Sequence, residues 1–96
     1  MDITVIKPEG TDLASRGAAA LIRSQVSAAV DTGKQVVINL SDVISLAASY
    51  SDELFGLLLV EYGLHEFLST ITVKGASPAV LRQIAIGMKG RFEESC

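Results

Sequence analysis

The spacing of apolar residues switches several times between a period of two and a period near 3.6. Ile3-Thr4-Val5-Ile6 is a short β-branched run, ended by Pro8 and Gly10, which do not continue a ladder comfortably. From Leu13 to Asp31, Leu13, Ala14, Gly17, Ala18, Leu21, Ile22, Val26, Ala29 and Val30 fall close to i, i+3, i+4, i+7 and form one apolar stripe. The stripe predicts a helix capped by Thr11 or Asp12 and stopped at Gly33. Val36-Val37-Ile38, between polar neighbours, reads as a buried strand over 35–40. A polar loop then opens into a dense helical pattern whose Leu57-Leu58-Leu59-Val60 run makes most faces apolar, with Gly63 as its end. Ile71-Thr72-Val73 gives a third strand. Ser77 and Pro78 form the cap and first position of a last helix, whose apolar face is Val80, Leu81, Ile84, Ala85 and Met88 and which Gly90 closes.

The elements alternate as β-α-β-α-β-α, with strands near 2–7, 35–40 and 70–74 and helices near 12–32, 51–64 and 77–89. That order implies an α/β domain with a small, mostly parallel sheet of three to four strands, joined by right-handed crossovers and packed with three to four helices. Residues 1–90 make the domain and 91–96 a short polar tail. Val37, Leu58 and Ile84 are expected in the core.

Composition narrows the functions. A chain of 96 residues that is 49% hydrophobic is one folded domain, not a disordered segment. Its net charge of −3 gives no electrostatic case for nucleic acid. The one cysteine, Cys96, supplies neither a disulfide framework nor metal-ligand spacing. The start lacks a basic leader segment and no apolar run approaches 18 residues, so a cytoplasmic protein without a membrane span is expected.

The most chemically loaded stretch is Ser49-Tyr50-Ser51-Asp52-Glu53, two hydroxyls and two carboxylates where the second helix begins. Such an end presents unpaired N–H groups and a positive dipole end. Ser49 with Asp52 three residues on has the spacing of a capping box. Asp52 and Glu53 suit a first helical turn, Asn39 suits a turn at the strand end, and Tyr50 suits a core anchor with its hydroxyl near the surface. His65 falls near a helix end with no catalytic partner in its pattern, and no Gly-rich phosphate loop follows a strand. No cofactor is implied.

Val36-Val-Ile-Asn-Leu-Ser-Asp-Val43, the loop and the leucine-rich helix together resemble the core of STAS domains, the fold of anti-sigma factor antagonists. Ser49-Tyr-Ser-Asp-Glu-Leu-Phe-Gly56 is similar to the Ser-Phe-x-Asp-Glu-Leu-hydrophobic-Gly pattern of a small STAS-like bacterial group, and Ile71–Pro78 resembles its third strand and final turn. The resemblance covers roughly residues 35–90. It implies partner switching, in which the helix start binds a histidine-kinase-like ATPase or serine-kinase anti-sigma factor and a serine there is phosphorylated. Ser49, Ser51, Asp52 and Glu53 are the implied partner-binding or phosphoacceptor residues, supported by Asn39 and Tyr50. The pattern leaves either Ser51 or Asp52 at the acceptor position.

Antagonists usually carry two strands before the first helix and this chain carries one. An open N-terminal edge, and a homodimer through it, are therefore expected. A small-ligand or nucleotide-binding sensor would use the same strand–loop–helix end, since ligands in open α/β sheets sit beyond the carboxyl ends of strands. An enzyme would need a convergent acid, base and nucleophile, which this residue set scarcely supplies.

Overall fold

The computed structural model describes residues 2–95, so Cys96 lies outside the described residues. In chain order the elements are β1 (Ile3–Ile6), β2 (Asp12–Leu13), α1 (Arg16–Asp31), β3 (Gln35–Asn39), β4 (Ser45–Leu46), α2 (Ala48–Ser51), a π-helical turn (Asp52–Gly56), α3 (Leu57–Thr70), β5 (Ile71–Lys74) and α4 (Pro78–Ser95). The expected α/β domain is present. Its main sheet has the order β1-β3-β5, all parallel, with Val5 beside Val37 and Val37 beside Thr72.

Strand order follows chain order, so right-handed crossovers carry successive helices onto the same face of the sheet. Burial identifies that face. Ile6, Val36, Ile38 and Ile71 are buried, whereas Ile3, Val5 and Thr72 on the alternate positions are exposed. Val37 belongs to this second set and is only half-buried, so its expected place in the core is corrected. Alternation along the strand, not hydrophobicity alone, decides the side. Leu58 and Ile84 do lie in the core, with Val26, Leu40, Leu54 and Phe55 around them.

Helix boundaries differ from expectation where tertiary partners outweigh local signals. α1 is capped by Ser15, whose Oγ accepts from the Ala18 N–H at 3.2 Å, and not by Thr11 or Asp12. Asp12 and Leu13 instead pair in parallel with Ser45 and Leu46, and Asp12 Oδ1 accepts from Ser45 Oγ at 2.6 Å. At the other end Gly33, at φ +82°, donates its N–H to the Val30 carbonyl, the expected stop.

Gly63, with φ 80° and ψ 161°, breaks the long helix where its end was expected, but helix resumes to Thr70. Phe67 is buried, and the Ser69 and Thr70 hydroxyls donate to the carbonyls of His65 and Glu66. α4 begins as expected, with Ser77 Oγ accepting from the Val80 N–H at 3.3 Å. It continues through Gly90 to Ser95, which replaces the expected polar tail after residue 90. Arg91, in that extension, grips Asp52.

Candidate functional site

The chain leaves β3 through a tight turn in which Asn39 Oδ1 accepts from the Ser41 N–H at 3.0 Å and from the Ser41 hydroxyl. The side chain thus holds its own turn, as its position suggested. Beyond it, Ser41, Asp42, Ile44, Ser45 and Ala48 are exposed, Ile44 to 70%. Lys7 at the end of β1 meets Asp42 at 2.6 Å. The Ile44 and Ser45 N–H groups donate to the Thr11 carbonyl at 2.7 and 3.1 Å, so the loop's backbone is fastened on the β2 side.

The helix then starts one residue earlier than Ser49. Ala47 is its cap residue and makes no side-chain capping bond, so the capping box expected of Ser49 and Asp52 does not form. Ser49 is half-buried and donates its hydroxyl to the Ala14 carbonyl at 2.9 Å, tying the helix start to the segment before α1.

Ser51, one of the two candidates for the acceptor position, is fully buried and so presents no hydroxyl at the surface of the helix start. Its Oγ donates to the Gln83 carbonyl of α4 at 2.7 Å. The signal for this was in the helical period: Ser51 stands three, four and seven residues before Leu54, Phe55 and Leu58, all buried on the same stripe.

Asp52 and Glu53 lie at the first positions of the π turn, and three arginines absorb their charge. Asp52 receives two bonds from Arg91, Nε at 2.7 Å and NH2 at 2.9 Å, in a bidentate fork, and a third from Arg16 at 3.0 Å. The Arg91 hydrogen bond is the main reason its carboxyl is pulled down to about 2, against an opposing push from burial. Glu53 is held by Arg23 at 3.0 Å and lies 3.5 Å from Arg16. For the two acids the sequence suggested a dipole or capping role and partner contact, not ion pairs within the fold. The overlooked signal was Arg16 and Arg23, seven residues apart on one side of α1.

Tyr50 is buried, and burial raises its phenol pKa. Its ring forms part of the wall of a cleft of about 830 Å³ between β1 and α1, which Thr4, Val5, Lys7, Ala18 and Leu21 also line. The structure therefore gathers Ser49–Glu53 into one knot of α1, α2, the π turn and α4. It leaves the exposed chemistry to the preceding loop.

His65 is exposed near the far end of α3. Among the described residues no three His, Cys, Asp or Glu side chains gather to hold a metal ion, and no helix is long and apolar enough to cross a membrane. No curated protein and no solved structure matches the chain. A family model does match residues 18–81, from α1 through the start of α4, and the chain belongs to that family, the STAS-like domain of unknown function (DUF4325).

Proposed function

We propose that this STAS-like domain is a non-enzymatic interaction and regulatory module of the anti-sigma factor antagonist type, which docks a histidine-kinase-like ATPase or serine-kinase anti-sigma factor. The contact begins on the loop after β3 and continues to Ser49 at the helix start. The observation that carries this reading is Ile44, a large apolar side chain 70% exposed on a loop fastened at both ends. An exposed apolar residue in a segment that also carries exposed Ser41, Asp42 and Ser45 suits the centre of a small protein interface. Fixing its ends lowers the ordering cost of docking.

Burial then ranks the hydroxyls. Ser49 is half-buried and reachable in the folded protein, and a phosphate there adds about −1.5 to −2 charge at the helix start that follows this loop. Ser51 is reachable only after α4 lifts away. Asp52 and Glu53 act as internal anchors that hold the epitope on a rigid helix.

The small-ligand alternative has less support. The order β1-β3-β5 never reverses, so the sheet has no topological switch point of the kind at which such ligands sit. The test is to titrate a candidate histidine-kinase-like ATPase against wild type, Ile44→Asp and Ser49→Glu, with folding checked by circular dichroism. Both variants should bind at least tenfold more weakly, about 1.4 kcal/mol each. Wild-type affinity in both would overturn the epitope.

A further inference from the structure

We infer that two copies of this domain join through antiparallel pairing of their β1 strands into one six-stranded sheet. The two edges of the sheet are built differently. β5 exposes Thr72 and Lys74, and a lysine on an edge discourages pairing. β1 exposes Ile3 (64%) and Val5 (61%) and carries no charge, proline or bulge within Ile3–Ile6.

Backbone geometry fixes how a second copy can pair. The Asp2 carbonyl accepts from the Gln35 N–H, so the polar groups of residues 2, 4 and 6 face β3 and those of Ile3 and Val5 face outward. Only Ile3 and Val5 can then supply the first ladder bonds. Pairing Ile3 with Val5 of the second copy, and the reverse, satisfies all four outward N–H and C=O groups and places Thr4 on the two-fold axis. In that register Ile3 and Val5 cover each other on the sheet's open face. The symmetry is isologous and closes at two copies.

The helix layer carries the same message. The axis is normal to the sheet, so both α1 helices lie on one side and face each other across it. The exposed positions Gly17, Ala18, Leu21, Ser24, Gln25 and Ala28 on α1 include no charge, and Leu21 is 68% exposed. The charged residues of this helix are used elsewhere: Arg16 and Arg23 on the acids of the π turn, and Asp31 on the Tyr62 hydroxyl. The β1–α1 cleft lies between these two surfaces and is closed by the second copy. A standard interface takes about 800 Å² from each partner, about 15% of the 5382 Å² exposed here. Pairing through one short strand and one helix face makes the association depend on protein concentration.

This dimer does not depend on the partner epitope, which lies on the loop after β3. Sedimentation equilibrium of the full chain from about 2 to 200 μM should show a monomer–dimer equilibrium. Leu21→Glu, at an exposed helix position, should weaken it at least tenfold and leave the circular dichroism spectrum unchanged. Register is read in a Cys96→Ser background. Thr4→Cys should form an intermolecular disulfide under mild oxidation, because directly opposed residues across an antiparallel pair hold their Cβ atoms about 4.5–5.5 Å apart. Lys7→Cys should not. A monomer at 200 μM, Leu21→Glu at wild-type strength, or cross-linking at Val5→Cys rather than Thr4→Cys would each overturn the proposed pairing.

Discussion

Replacing Gly87 by alanine tests whether α4 is seated on the start of the second helix. A Cβ built on Gly87 overlaps Ser51 Oγ and lies 3.0 Å from the Ser51 carbonyl carbon, so backbone as well as side chain stands in its way. Overpacking of this kind costs about 1–3 kcal/mol. Displacing Ser51 Oγ from the Gln83 carbonyl adds about 1 kcal/mol. Higher helix propensity returns about 1 kcal/mol. The net loss is about 2 kcal/mol, a fall in Tm of roughly 8–16 °C for a domain of this size.

Gly90, three residues on in the same helix, is the internal control. A Cβ there meets nothing within 4 Å, so Gly90→Ala gains the propensity term alone and should raise Tm by a few degrees. Both variants are melted side by side, with far-UV circular dichroism and urea unfolding as independent readouts. Opposite signs support the close seating. If Gly87→Ala matches Gly90→Ala, α4 does not lie against Ser51, and the burial of that serine falls with it.

The Asp52 network gives a pH dependence. Its carboxyl titrates at about 2 folded against 3.8 ordinarily, so its stabilisation is present above about pH 4 and is lost as pH falls through 2. The difference corresponds to about 2 kcal/mol at most, reduced to about 1 kcal/mol because the side chain is 25% exposed and screened. Asp52→Asn should therefore lower stability at pH 7 and flatten its acid slope, measured by urea unfolding between pH 2 and 7. Leu58→Ala, at a fully buried site, should cost about 3–5 kcal/mol in the same assay. His65→Ala should leave Tm within about 4 °C and partner binding within a few-fold, because the side chain is exposed and away from the loop after β3.

The long elements were legible because each carries its own period. Val36 and Ile38 alternate with half-buried neighbours, and the stripe through Val26 and Val30 fixes the buried side of α1. What escaped depends on contacts distant in sequence. Asp12–Leu13 is too short to show a period of two, and only its partner Ser45–Leu46, more than thirty residues on, makes it a strand. α4 was expected to stop at Gly90, since glycine weakens a helix. Arg91 finds Asp52 from 39 positions away and supports the further turn.

Ser51 shows why the residues of the site were visible while their roles were not. Composition singled out its hydroxyl, and the helical period sent it inward with Leu54 and Leu58. The position admits a small polar residue because the Gln83 carbonyl supplies an acceptor and Gly87 leaves room for the oxygen. Burial therefore ties Ser51 chemistry to α4. A kinase that phosphorylated it would first have to lift a helix held by the Asp52–Arg91 fork and the close approach at Gly87. The resulting phosphate could not be accommodated beneath the reseated helix, because no space remains beyond Oγ. Ser49 needs no such opening, since it gives up only one bond to the Ala14 carbonyl. The two serines, two residues apart, thus differ in what their modification does: at Ser49 it changes the surface of a folded domain, and at Ser51 it requires the fold to open.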